Sequence, residues 1–179
     1  MRIVAGTARG KRILTLEGRE ITRPTTEKVR EAVFGSLQFE IPDSKVLDLF
    51  AGSGAMGIEA LSRGAASAVF VDNDRNAVGI IRKNLESTGF TDRAKVIQAD
   101  YMTVIRGMRE SFGYLFLDPP YKSGYYDDCL TAIYENGIIE PDGKIVVEHD
   151  GTLKLEDRWP VIKEKRYGKI YITYLYGER

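Results

Sequence analysis

Short apolar runs that end in an acid alternate with stretches whose apolar positions recur every three or four residues. Val46-Leu47-Asp48-Leu49-Phe50 reads as a strand and Ala55 to Arg63 as a helix. Ala68 to Val71 is a strand ending at Asp72, followed by a helix from Arg75 to Ser87 with Val78, Ile80, Ile81 and Leu85 as its apolar stripe. Lys95 to Gln98 is a short strand leading to Asp100, and Leu115 to Leu117 is a strand before a double proline. Tyr126 to Tyr134 is helical and Lys144 to Val147 is a strand. Such alternation predicts an α/β fold, a mostly parallel sheet with helices on both faces. The end breaks the pattern: residues 161–167 and 169–176 flank Gly168 as a β-hairpin, so the last strand should run antiparallel.

The start also departs from the alternation. Arg2 to Ala5 and Arg12 to Leu16 flank the glycine-bounded turn Gly6 to Gly10, which predicts a hairpin. Pro24 disfavours helix before it, and Thr25 or Thr26 can cap the helix that follows. Val29, Ala32, Val33, Phe34 and Leu37 fall on one face of that helix. With no linker, repeat or low-complexity tract, residues 1–179 read as one domain, 1–43 being a hairpin-and-helix extension and 44–179 the core.

Composition sets limits. The 179 residues, 43% hydrophobic and 29% charged, fit a soluble globular chain. No apolar run approaches the ~20 residues of a membrane span, and no apolar h-region follows Met1-Arg2, so a cytoplasmic location is expected. One Cys and one His exclude an internal disulfide and a zinc-ligand set. Cys129 reads as a small core residue on a helix, and His149 falls at a strand end. Net charge is zero but unevenly spread. Through residue 30 the basic residues are Arg2, Arg9, Lys11, Arg12, Arg19, Arg23, Lys28 and Arg30, against Glu17, Glu20 and Glu27. That surplus points to a polyanion-facing end, although a solvated charged surface has the same composition.

Two constellations carry chemistry. The first is Asp48 to Gly57, where Ala51-Gly52-Ser53-Gly54 sits between a strand and a helix. Gly52 and Gly54 allow a tight turn and close backbone approach to a ligand, and Gly57 allows helix–strand packing. Asp72, with Asn73 beside it, stands at the next strand tip, where an acid can accept both ribose hydroxyls. A pyrophosphate cofactor would want a helix N-terminus without a nearby anion. Asp48 suits a cationic ligand instead, and S-adenosyl-L-methionine carries a sulfonium and an ammonium. No tyrosine stands four residues before a lysine, which disfavours a short-chain dehydrogenase. Asp100 at the third strand tip either accepts from an adenine amino group, with Tyr101 beside the ring, or caps the next helix.

The second is Asp118-Pro119-Pro120-Tyr121, where two prolines force the chain to break at the carboxyl edge of the sheet. An exocyclic amine on a base is a poor nucleophile. The Asp118 carboxylate and Pro119 carbonyl can hold its two hydrogens and aim its lone pair at an activated methyl group. Tyr121 can stack on a base that is splayed out or flipped. No metal is required.

Val46 to Gly57, Asp72, Asp100 and Asp118 to Tyr121 together resemble a class I S-adenosylmethionine-dependent methyltransferase acting on an amino group. Arg23 to Phe34, with Val4-Ala5-Gly6, Gly10-Lys11 and Ile58 to Ala65, narrows the resemblance to the RsmD family of bacterial 16S rRNA guanine-N2 methyltransferases. The resemblance implies a Rossmann-like, seven-stranded sheet of order 3-2-1-4-5-7-6 with strand 7 reversed. It also implies methyl transfer to one guanine of 16S rRNA, within the assembling or assembled 30S subunit. Gly52, Gly54, Asp72 and Asp100 then fall at cofactor positions and Asp118 to Tyr121 at the catalytic loop. Arg23-Pro24-Thr25 falls where the family's lead-in approaches the site. Tyr121 stands where relatives carry Phe, and Asp72 where some carry Glu. Arg9, Lys11 and Arg12 gain a role as phosphate contacts. A monomer is expected. The competing readings are an adenine-N6 or cytosine-N4 methyltransferase on DNA or other RNA, a protein-glutamine methyltransferase, a non-catalytic ribosome-assembly module and a nicotinamide oxidoreductase.

Overall fold

The computed structural model describes residues 1–16, 25–119, 125–151, 153 and 159–178, leaving aside the Thr25 and Thr26 side chains. The chain builds a sheet of seven strands: β1 Lys45–Asp48, β2 Ser67–Asp72, β3 Ala94–Gln98, β4 Phe112–Leu117, β5 Ile139–His149, β6 Val161–Tyr167 and β7 Ile170–Tyr176. Their order is β3-β2-β1-β4-β5-β7-β6. Pairings from β3 through β5 are parallel, and β7 runs antiparallel to both its neighbours. The helices are α1 Thr25–Leu37, α2 Ala55–Ser62, α3 Arg75–Thr88, α4 Tyr101–Gly107 and α5 Tyr125–Asn136. The order reverses between β1 and β4, which creates the crevice where open α/β sheets hold ligands.

Strand alternation decides which core each side chain joins. Val46, Phe70, Phe116 and Val146 pack with α1, α2 and α3 on one face. Leu47, Val69, Val71, Leu115, Leu117, Ile145 and Val147 pack with α4 and α5 on the other. Cys129 is a buried core residue of α5. In α3, Val78, Ile81 and Leu85 are buried and Ile80 is half-buried. Asp74 caps its start by accepting from the Asn76 amide at 2.8 Å, and Gly89 ends it at φ 81°. No helix among the described residues is long and apolar enough to cross a membrane.

Several elements differ from the expectation: β1 ends at Asp48 and not at Phe50, and β4 begins at Phe112 and not at Leu115. β5 begins at Ile139, not Lys144, because Pro141-Asp142-Gly143 sits inside the strand where its pairing with β4 shifts register. An irregular strand accommodates a proline. α4 follows Asp100, a helix whose bounds the sequence pattern left open. The N-terminal hairpin is reduced to the single antiparallel bridge Arg2–Arg12, although Ile3 N–H donates to the Lys11 carbonyl at 3.0 Å. The Val4 and Ala5 amides leave the ladder and donate to Glu59 of α2 at 2.9 and 3.0 Å.

Glu59 is fully buried and also meets Arg30 at 3.2 Å and Arg63 at 2.9 Å. Arg30 donates in turn to the Arg2 carbonyl. A buried carboxylate is tolerable only when its lone pairs are used in this way. Ser62 completes the dock, since its carbonyl accepts from Thr7 at 2.8 Å and its Oγ from Ala8 at 3.0 Å. The basic lead-in is thus clamped onto the C-terminal half of α2, the helix that the glycine loop opens.

Candidate active site

Four acids stand at the carboxyl ends of four neighbouring parallel strands. Asp48 and Asp72 are the last residues of β1 and β2, and Asp100 and Asp118 lie just beyond β3 and β4. The strand order lines them up as Asp100, Asp72, Asp48, Asp118 along one edge, at spacings of about 4.8 Å per strand.

The glycine loop joins β1 to α2 within this row. Gly52 and Gly54 hold φ of 55° and 80°, a left-handed backbone that favours glycine. Gly57 answers a different need: a Cβ there would lie 2.3 Å from the Phe70 ring, so only glycine lets α2 settle on β2. The Gly52 amide donates to Asp72 Oδ2 at 2.8 Å, and the Asp74 amide to Oδ1 at 2.9 Å. Asp72 is half-buried while Asn73 is exposed. Ala51 is buried and donates to the Val71 carbonyl at 2.9 Å. Ser53 is half-buried, with its carbonyl accepting from Asn84 at 2.9 Å.

Asp48 is buried, and its Oδ2 accepts from the Gly57 amide at 3.2 Å. Burial, with Asp72 adding to it and the Gly57 bond opposing it, pushes this carboxyl up to about 7. Near neutrality it is therefore only partly ionised, and it braces the loop from beneath. The sequence suggested an anion facing a cationic ligand.

Asp100 does cap a helix. Its Oδ1 accepts from the Met102 amide at 2.9 Å and the Thr103 amide at 3.3 Å, and the side chain is exposed beside the row. Tyr101 is half-buried, 5.1 Å from Phe50 and 5.8 Å from Tyr125 between ring centroids. Burial pushes its hydroxyl up to about 12, so it stays protonated. Phe50 and Tyr125 were not singled out in the sequence. Each lies at an element boundary near a strand tip, which is the available signal.

Asp118 is half-buried and Pro119 buried at the end of β4, every residue of which is buried. Pro120, Tyr121 and Arg23, and the Thr25 side chain, lie outside the described residues. Arg9 and Arg12 are exposed on the lead-in. Lys11 is placed differently: its Nζ lies 3.4 Å from the Ser87 and Thr88 carbonyls at the last turn of α3, where the helix dipole favours a cation. His149 ends β5, buried, with Nε2 2.9 Å from Thr173 Oγ1, and burial lowers its basicity.

The strand order, reversed last strand and glycine loop facing a strand-tip acid define the class I methyltransferase fold. The chain belongs to the family described as Conserved hypothetical protein 95, which it matches over residues 1–176. It is 40% identical over 160 residues to "Putative rRNA methyltransferase YlbH" of Bacillus subtilis (strain 168), covering 88% of this chain and 86% of that protein. It is 33% identical over 173 residues to Ribosomal RNA small subunit methyltransferase D of Escherichia coli (strain K12), covering 95% and 86%. Among solved structures, "Putative methyltransferase yhhF from Escherichia coli" superposes with a TM-score of 0.87 at 31% identity, covering 100% of this chain and 99% of that one.

Proposed function

We propose that this protein transfers a methyl group from S-adenosyl-L-methionine to the exocyclic N2 amine of a guanine in 16S rRNA. The observation that carries this is the row of strand-end acids beside a glycine loop, with Asp118-Pro119 at its far end.

The residues present suit the cofactor's chemistry. Asp72, braced by the Gly52 and Asp74 amides, keeps lone pairs for a ribose diol. Asp100 retains acceptor capacity for an adenine amine, and Phe50 with Tyr101 offers the base aromatic surface. Gly52, Ser53 and Gly54 let the backbone approach the ligand, flanked by Ala51 and Asn73. When bound, S-adenosyl-L-methionine supplies a methyl group already activated by its sulfonium.

The protein's own work is orientation and charge placement. Asp118 and the Pro119 carbonyl accept the two hydrogens of the target amine and turn its lone pair toward the cofactor side of the row. The carboxylate offsets the positive charge that grows on that nitrogen and takes up the proton it sheds. Pro120 fixes the loop and Tyr121 stacks on the guanine, both read from the sequence.

Residues 1–43 serve as the RNA-facing part and 44–179 as the catalytic part. Arg9 and Arg12 meet phosphates, with Arg23 and Thr25 nearer the target nucleotide and Lys11 shared with the end of α3. The enzyme acts as a cytoplasmic monomer on the assembling or assembled 30S particle. The small-subunit name of the E. coli relative and the basic lead-in support that context. Tritiated methyl transfer tests it, comparing protein-free 16S rRNA with small subunits from cells lacking the enzyme. Label should enter the particle's RNA. Label confined to DNA or protein substrates would overturn the proposal.

A further inference from the structure

Asn84 lies on the inner face of α3 and is 1% exposed. A primary amide buried this deeply is destabilising if its partners are missing. Here it serves two distant segments at once. Its Oδ1 accepts from the Leu14 amide at 2.7 Å, and its Nδ2 donates to the Leu14 carbonyl at 2.9 Å. This pair copies the exchange between two facing strand residues. The same Nδ2 donates to the Ser53 carbonyl of the glycine loop at 2.9 Å.

The Leu14 side chain is 54% exposed, and the pairing between the two arms of the lead-in reaches Ile13, whose amide donates to the Met1 carbonyl at 3.0 Å, so Leu14 is the position where the arm passes from that pairing to Asn84. On the other side, the Gly52 amide next to Ser53 donates to Asp72. A route therefore runs from Asp72 to the Gly52 amide, along the covalent backbone of Gly52 and Ser53 to the Ser53 carbonyl, and through the Asn84 amide to Leu14, just past Arg12.

We propose that Asn84 is a positioning residue that couples cofactor binding to RNA binding. The inference rests on the reading above, with cofactor at Asp72 and RNA phosphates at the lead-in. A ligand that orders the glycine loop fixes the Ser53 carbonyl and hence the plane of the Asn84 amide. A buried amide has no water to substitute for a lost partner, so fixing one bond favours the other two and sets Leu14. The basic turn is then held in place before RNA arrives. By linkage, RNA on the lead-in must favour cofactor by the same factor.

The test uses the full-length protein, S-adenosylhomocysteine and protein-free 16S rRNA. Saturating S-adenosylhomocysteine should tighten RNA binding about 5-fold or more, and RNA should tighten S-adenosylhomocysteine equally; in Asn84→Ala both factors should fall to within about twofold of one. A wild-type factor of one, or an unchanged factor in the variant, overturns the coupling. The wild type gives a second readout that does not depend on the variant folding. Leu14 amide exchange should slow about 5-fold or more when S-adenosylhomocysteine binds, since that amide reports opening at Asn84. An unchanged rate overturns the inference. Failure of the wild type to bind S-adenosylhomocysteine would instead remove the cofactor reading and this inference with it, whereas binding without coupling removes this inference alone.

Discussion

The Gly52 amide donates to Asp72 Oδ2 at 2.8 Å across 20 residues of sequence. The bond ties the loop after β1 to the tip of β2, so the two elements proposed to face the cofactor are preset relative to each other. Presetting lowers the ordering cost that a ligand must overcome. Asp72→Ala removes the acceptor for the Gly52 and Asp74 amides as well as the proposed ribose contact. Its dissociation constant for S-adenosylhomocysteine should rise roughly 10- to 100-fold, as expected for charge-assisted hydrogen bonds. Calorimetry checks this, and an unchanged constant would take Asp72 out of the site.

Asp118 should behave in the opposite way. It stands at the end of the acid row, two strands from Asp72, so Asp118→Ala should leave S-adenosylhomocysteine affinity close to wild type. Turnover should fall about 100- to 1,000-fold, the typical cost of losing one group that stabilises developing charge. Single-turnover methyl transfer on small subunits separates the two effects. Wild-type turnover by the variant would refute the assigned role.

Gly57 and Gly79 offer a paired test of packing. A Cβ at Gly57 would lie 2.3 Å from the Phe70 ring, whereas one at Gly79 on α3 meets nothing within 4 Å. Gly57→Ala should destabilise the fold by about 1–3 kcal/mol through overpacking. Gly79→Ala should stabilise it by up to ~1 kcal/mol through helix propensity. Urea unfolding reads both, and equal effects would contradict the account of α2 on β2.

Asp48 predicts a pH dependence. Its carboxyl rises from 3.8 to about 7 on folding, chiefly through burial. Between those values the folded chain holds a proton that the unfolded chain has released. This group's contribution to stability therefore declines as pH rises through that window, by up to ~1.4 kcal/mol per pH unit. Asp48→Asn keeps an acceptor for the Gly57 amide and has no proton to lose. Its stability relative to wild type should climb from about pH 5 to about pH 8, and a difference independent of pH would contradict the raised value.

Arg9 and Arg12 are exposed on the lead-in, while Lys11 is engaged with α3 carbonyls. Arg9→Ala/Arg12→Ala should weaken RNA binding and reduce the slope of log affinity against log salt by about 2, with S-adenosylhomocysteine binding intact. Filter binding across a salt series measures the slope. An unchanged slope would move the phosphate contacts elsewhere.

Much of the site was legible because each acid follows an apolar run that must end at a sheet edge. That pattern located Asp48, Asp72, Asp100 and Asp118 and implied their alignment once the strand order was known. The direction in which Asp48 acts was not legible, since burial and the Gly57 bond are tertiary facts. The pattern gave only Lys144 to Val147 of β5, because an irregular strand that holds Pro141-Asp142-Gly143 has no regular alternation to read before Lys144. The lead-in hairpin is shorter than its pattern for a related reason. Glu59, thirty or so residues past Arg30, takes the amides of Val4 and Ala5, and no local pattern announces that partner. Asn84 looked like one more polar position on an amphipathic helix until Leu14 and Ser53 were placed against it.

The most direct test of the central claim is the identity of the methylated nucleoside. Small subunits from cells lacking the enzyme would be labelled with tritiated S-adenosylmethionine, and their RNA digested to nucleosides and separated. The account predicts label in N2-methylguanosine, lost with Asp118→Ala. Label in N6-methyladenosine or N4-methylcytidine, or none in RNA while the cofactor still binds, would contradict it.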